Sequence, residues 1–363
     1  MLLLRPNVAQ LRHIALIYVG ALACGVVGNW INLPLPWMIG AMAFATALRL
    51  SNLPVQVPAV TRPIGQMIVA SSVGLSFTPA AVSALSDLFV PMISAAILTI
   101  VAGFVVAALL MRMARVDVIT ATLSSIPMGP VESAHLANQH GVSPGPIIFA
   151  QTLRIMMLVV FIPPVLVALS DGTHDAIAVL RAIPWTATGA LMLGGFGVIG
   201  ALAARAVRLG NPFFVGSIAG SALAAALSFP VTAYPYPVLV IAQVFLGVWL
   251  GAVFDRQLLS NAAGFIPGAV ASSLLMVTIC VGMGLGLAWA TDQPWPVMVL
   301  STAPGSVTEM ALTAKILQEG IAVVTAFHLV RIFIILPSAP MIIHVTARLA
   351  SRWGLHTDTE RSP

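Results

Sequence analysis

Glu132 and Glu309 lie in apolar stretches 177 positions apart, and the chain has four glutamates in all. Arg154 and Arg331 follow them, each 22 positions later (154 − 132 and 331 − 309). Ionisable side chains in such surroundings are costly and mark a working site by default. A carboxylate there can hold a coupling proton or cation, or position a solute. A guanidinium can bind an anionic solute or neutralise a carboxylate, and the spacing pairs Arg154 with Glu132 and Arg331 with Glu309. The plainer alternatives are a carboxylate capping a helix N-terminus and an ion pair that locks the fold.

Further polar residues keep the same spacing. Gln66 matches Gln243, and Gln151 matches His328 one turn before each arginine. They read either as interhelical hydrogen bonds or as groups facing a cavity, with His328 as a candidate proton relay. Ser124, Ser133, Ser301 and Thr308 flank the proline breaks in these stretches, where their hydroxyls can line the site or satisfy freed carbonyls. His135 and His140 lie five apart without a third ligand, so no metal site is expected. Cys24 and Cys280 stand singly in apolar runs and read as buried thiols.

These residues sit in a duplicated segment. SSIPMGPVESAHLA from Ser124 aligns without a gap on STAPGSVTEMALTA from Ser301, and the match runs on to Pro163 over Pro340. Pro127, Gly129 and Pro130 break the first copy; Pro304 and Gly305 break the second. Upstream, PWMIGAMAFATAL from Pro36 resembles PFFVGSIAGSALA from Pro212, and GQMIVASSVGLSF from Gly65 resembles AQVFLGVWLGAVF from Ala242. Proline and small residues before each glutamate expose helix N-terminal amides that can face an anion.

Composition sets the class. Charged residues are 7% of the chain and hydrophobic residues 59%, with a mean hydropathy of +1.03; a soluble domain carries about 25% charged residues. The net charge of +5 comes from scattered arginines and one lysine, Lys315. That is no basic nucleic-acid patch, and the arginines read as topology markers. Spans are expected near 14–32, 36–50, 62–78, 88–111 and 146–169, with a broken stretch at 117–140. The second half repeats them near 184–207, 212–229, 236–254, 262–290 and 321–347, broken at 294–318. A cleaved leader is the alternative for the first run, but that run has a counterpart opening the second half.

Keeping the arginines on one side requires each broken stretch to enter and leave by the same face. Five crossings per half then invert the second copy, and both termini are cytoplasmic. The expected fold is an all-α polytopic membrane protein of two inverted repeats, each of about five transmembrane helices plus one broken or re-entrant hairpin. Residues 1–169 form the first repeat, 170–183 a connecting loop, 184–347 the second repeat and 348–363 a polar tail. Small-xxx-small patterns (Gly194 to Gly200, Gly282 to Gly286) predict tight helix packing.

Pro304-Gly305-Ser306-Val307-Thr308-Glu309-Met310, its first-half partner and the stretch Pro34 to Ala41 resemble the AbrB-duplication membrane protein family. That family, whose members are labelled ammonia monooxygenases or AbrB-type regulators, is similar to the cation/proton antiporter and anion transporter group. The resemblance implies inverted repeats with interrupted helices, and carries Pro304, Gly305 and Glu309 over as motif residues. The first copy departs, with Pro127-Met128-Gly129-Pro130. Together these readings give an inner-membrane, ion-coupled transporter of a small anionic or zwitterionic solute, with a site between two broken-helix hairpins. It is not expected to be an enzyme or to hold a cofactor. Its expected partners are the bilayer, the solute and H⁺ or Na⁺, not nucleic acid, and a homodimer is allowed. A membrane ligand sensor with indirect effects on gene expression is the alternative. A membrane monooxygenase is a third reading; it would need a copper or iron site, and no carboxylate–histidine cluster supplies one.

Overall fold

The computed structural model describes residues 8–169, 180–254, 264–317 and 320–352. Every described element is a helix: α1 (Val8–Trp30), α2 (Pro36–Leu50), α3 (Thr61–Gly74), α4 (Pro79–Asp87), α5 (Phe89–Ala114), α6 (Val118–Ser125), α7 (Pro130–Gln139), α8 (Pro144–Leu169), α9 (Ala187–Ala206), α10 (Pro212–Ala226), α11 (Tyr236–Gly251), α12 (Ile266–Thr291), α13 (Trp295–Thr302), α14 (Val307–Leu317) and α15 (Ile321–Arg352). Proline opens α2, α4, α7, α8 and α10, where its missing N–H costs no hydrogen bond. The duplication is visible in the register. The pairs α5/α12, α6/α13, α7/α14 and α8/α15 begin at 89/266, 118/295, 130/307 and 144/321, each 177 apart.

Six helices (α1, α5, α8, α9, α12 and α15) are long and apolar enough to cross a bilayer. The spans expected at 36–50, 212–229 and 236–254 form helices of only 15, 15 and 16 residues, short of the ~20 a crossing takes. The span expected at 62–78 stops at Gly74, and α4 continues from it at a bend of 87°. At the other end, the helix runs past Ala347 to Arg352.

The helices form two bundles. One joins α1, α2, α3, α9, α10 and α11. The other joins α5, α8, α12 and α15 around the broken pairs α6–α7 and α13–α14. Between apolar helices in lipid, close backbone approach does the work of hydrophobic burial. The first bundle shows it at α9 and α10, where a Cβ on Gly200 would lie 2.1 Å from the Gly216 carbonyl oxygen. Gly282 and Gly286 do not pack in this way: a Cβ there meets nothing within 4 Å, and the buried glycine of that stretch is Gly284. The expected packing role holds for Gly200 and fails for these two, which lie on the outer side of α12.

Direction follows from side-chain clusters. The end of α5 (Ala107, Leu110, Met111), the start of α6 (Val118), the early turns of α8 (Phe149, Ala150) and the start of α12 (Ala269) pack together. At the other face, the start of α5 (Met92, Ala95), the end of α8 (Leu166), the end of α12 (Ala288), the start of α13 (Val297) and the start of α15 (Val324) do the same. Hence α6–α7 enters and leaves by one face and α13–α14 by the opposite face. Both are re-entrant hairpins, and the repeats are inverted.

Candidate functional site

Each hairpin tip is a break between two short helices, and breaks free backbone carbonyls. Gln151 Nε2 donates to the carbonyls of Leu123 (2.6 Å) and Ile126 (2.9 Å). His328 Nε2, at the equivalent position, bonds the Leu300 carbonyl at 2.9 Å. Arg154 Nη1 donates to Ser124 and Ser125 carbonyls, both at 3.1 Å, and Nη2 bonds Gln151 Oε1. Its Nε reaches across to Pro304 O of the other hairpin at 3.0 Å. Arg331 donates to Ala303 and Gly305 carbonyls, each at 2.7 Å.

These contacts correct the expected ion pairs. None of these hydrogen bonds goes to a carboxylate, and the two arginines serve as buried staples for hairpin backbone; Arg331 also lines the cavity described below, with its Nε unpartnered. Gln151 and His328 share that role and do not face the cavity described below. The sequence suggested charge pairing because spacing alone does not count the open carbonyls of a helix break.

The glutamates stay available. Each lies in the first turn of its half-helix, Glu132 on α7 and Glu309 on α14. Glu132 Oε2 sits over the N-cap residue Gly129, where a Cβ would come within 1.8 Å of it. At the equivalent position, 129 + 177, Ser306 lies three residues before Glu309 and lines the same cavity. The capping reading is therefore right in part. Still, Glu132 Oε2 and Glu309 Oε2 are buried with no hydrogen-bond partner, as are the hydroxyls of Ser133 and Thr308.

Both carboxylates line one cavity of about 60 Å³, room for roughly four waters. It lies between the hairpin tips (Pro127, Gly129, Pro130, Gly305, Ser306) and the facing bundle, which contributes Arg62, Gln66, Leu246 and Trp249. Arg62 lies over the Trp249 ring at 4.0 Å and lines the same cavity as Glu132 and Glu309. It is the cavity residue that repeat matching hid: its equivalent in the second copy is Leu239 (62 + 177). A vestibule of about 650 Å³ shares Arg62, Gln66, Glu132, Asn211 and Trp249 and continues past Pro212, Phe213 and Val253.

That vestibule belongs to the face where α5 and α11 end. Arg12, Arg49, Arg112, Arg115, Arg205, Arg208, Arg348 and Arg352 fall at helix ends on this face, whereas Asp87, Arg181 and Asp292 fall at the other. Gln243 is not in the cavity. It lines a pocket of only about 20 Å³ with Pro34, Leu35, Pro36, Trp37 and Tyr236. Those residues are repeat mates of the vestibule: Leu35, Pro36 and Trp37 match Asn211, Pro212 and Phe213 at a spacing of 176, and Gln243 matches Gln66. Trp37 Nε1 donates to Tyr236 Oη at 2.6 Å across this side. Of these two repeat-related pockets, one is wide and the other nearly closed.

Fold and site define a polytopic helical membrane protein of two inverted repeats, with a polar cavity between opposed hairpins. Residues 37–347 match the family AbrB, described as transition state regulatory protein AbrB, and the chain belongs to that family. It is 24% identical to the protein YhjN of Bacillus subtilis (strain 168) over 349 residues, 88% of this chain and 89% of that one. It is 23% identical to an Escherichia coli (strain K12) protein described as a regulator AbrB over 316 residues, 86% of this chain and 90% of that one.

Proposed function

We propose that this protein is an ion-coupled secondary transporter of a small anionic or zwitterionic solute. In this reading it lies in a bacterial inner membrane with the arginine face and both termini in the cytoplasm, as the positive-inside rule favours. The observation that carries it is the pairing of an open vestibule beside Gln66 with a shut, repeat-related pocket beside Gln243. Inverted repeats around a midplane site produce such a pair of entrances, and exchange of the repeats' conformations alternates access.

The two bundles supply the moving parts. The hairpin bundle carries the glutamates, and it meets the other through an apolar surface that includes Val69, Val73, Leu246, Val307 and Leu312. Such a surface can slide without breaking many hydrogen bonds. The N-termini of α7 and α14 point their positive ends at the cavity, which suits an anionic group of the solute. Glu132 and Glu309 then hold the cation that accompanies it.

Proteoliposomes with an imposed H⁺ or Na⁺ gradient, offered a panel of labelled carboxylates and amino acids, test the reading. Uptake of one of them by the wild type, lost in Glu309→Gln with an unchanged melting temperature, supports it. Uptake unaffected by that substitution removes the central role of Glu309. The family description and the E. coli relative's name favour a second reading, a ligand sensor. For a sensor, the same solute binds and raises the melting temperature but does not accumulate inside the vesicles.

A further inference from the structure

We propose that Glu132 and Glu309 form a binding site for a small monovalent cation, and that the Arg62 guanidinium is its resident stand-in when the vestibule is open. This rests on the transporter reading.

The cavity holds two carboxylates whose Oε2 atoms have no hydrogen-bond partner. Glu309 is only 6% exposed, and a desolvated carboxylate demands a positive neighbour. Four cationic side chains lie near enough to be considered. Arg154 is spent on the carbonyls of both hairpin tips; Arg331 lines the cavity with its Nε unpartnered, but its two terminal nitrogens are held by the Ala303 and Gly305 carbonyls of its own hairpin. Lys315, two turns farther along α14, hydrogen-bonds Ser72 of α3. Among the described residues, Arg62 is the cation that lines this cavity with both carboxylates from the facing bundle, and it is anchored there by Trp249.

That anchoring matters because the glutamates and Arg62 belong to different bundles. When the hairpin bundle shifts toward the opposite face, the carboxylates leave Arg62 behind. The repeat then presents Leu239 and Ser72 where Arg62 and Trp249 had been (62 + 177 = 239; 249 − 177 = 72). A leucine cannot neutralise a buried carboxylate. A cation from solution must take the guanidinium's place, or the pair cannot make the move. The inversion of the repeats together with the single arginine therefore builds an obligatory coupling step into the fold.

Replacing Arg62 empties the stand-in without moving the bundles, so the test is made on purified full-length protein in detergent, with thermal unfolding as the readout. Arg62→Leu, or Arg62→Gln if the leucine variant does not fold, is titrated with NaCl against choline chloride at constant ionic strength. A second series varies pH without Na⁺. The expected result is a melting temperature that rises with Na⁺ or on acidification. Its half-point should need about tenfold less cation than in the wild type, within the usual range of coupling between sites. A Na⁺-specific rise identifies a metal cation and a purely acid-driven rise a proton; either supports the site. Adding Glu132→Gln and Glu309→Gln should remove the dependence. An Arg62 variant whose melting temperature is indifferent to both series, or responds with the wild-type half-point, overturns the proposal. Binding is read without vesicles, so a protein that binds the cation yet moves no solute would contradict the transporter reading alone.

Discussion

Arg154 of the first repeat and Pro304 of the second are joined by a hydrogen bond from Nε to the carbonyl oxygen, 3.0 Å long and fully buried. With its bonds to Ser124 and Ser125, one guanidinium ties together two hairpins that enter from opposite faces. A planar fork of five donors is suited to that task, and an ammonium on a flexible stem is not.

Arg154→Leu should therefore destabilise the protein strongly. It would leave the Ser124, Ser125 and Pro304 carbonyls without this donor, and each unsatisfied buried group costs about 1–3 kcal/mol. Arg154→Lys should recover only part, because it cannot span both hairpins. Thermal unfolding in detergent measures both variants. A melting temperature within a degree of wild type for Arg154→Leu would show that the staple is dispensable.

Lys315 behaves differently. It is buried at 7% exposure and donates to the Ser72 carbonyl at 3.2 Å and to the Ser72 hydroxyl, tying the second hairpin to the facing bundle. A buried charge without an opposite charge is expensive, and replacing it by an apolar residue of similar length is often neutral or stabilising. Lys315→Met is expected to hold or raise the melting temperature. Ser72→Ala is expected to lower it, at a cost of about 1–3 kcal/mol in stability, since it removes a partner from a charged donor. The double variant should resemble Lys315→Met alone, as a thermal-unfolding cycle can establish.

Much of this arrangement was legible in the sequence for a physical reason. A duplicated segment must break, turn and cross in the same places, so a gapless match gave the hairpins and the glutamates directly. Arginines concentrated at one face reported the hairpins' re-entrant course. What repeat matching could not give was any feature present once. Arg62 has Leu239 as its mate and Lys315 has Asn138 (315 − 177), so neither stood out. The partners of Arg154 and Arg331 were missed because a carbonyl freed by a helix break leaves no mark on side-chain pattern. The short helices α2, α3, α10 and α11 looked like full spans because hydropathy does not register where a helix stops inside a protein-lined interior.

Gln66 and Gln243 offer a direct measure of which entrance is open. In a background with Cys24 and Cys280 replaced, Gln66→Cys lines both the cavity and the vestibule, and Gln243→Cys lines the shut pocket. A small charged thiol reagent should modify position 66 at least about tenfold faster than position 243, the difference expected when the open form is the major state. A transported solute or coupling cation should narrow the ratio. Equal rates in its absence would mean that the two vestibules are not alternatives.

The shut side carries its own latch, and breaking it should move the equilibrium in a known direction. The Trp37 Nε1 to Tyr236 Oη bond, 2.6 Å, closes the pocket at Gln243, and the Arg181 guanidinium lies 5.2 Å from the Tyr236 ring. At the open entrance the equivalent of Trp37 is Phe213 and that of Tyr236 is Ala59, so no matching latch can form there. Tyr236→Phe removes the phenolic acceptor and keeps the ring. Losing one such bond is worth about 1 kcal/mol, which shifts a two-state population by about fivefold. The Gln243→Cys modification rate should rise by about that factor, while the Gln66→Cys rate falls only slightly because its open form remains the majority. If Tyr236→Phe left the rate at position 243 unchanged, this hydrogen bond would be packing within a rigid wall, and the closure would have to be assigned to the apolar contacts of Leu33, Leu35 and Ile316 that line the same pocket.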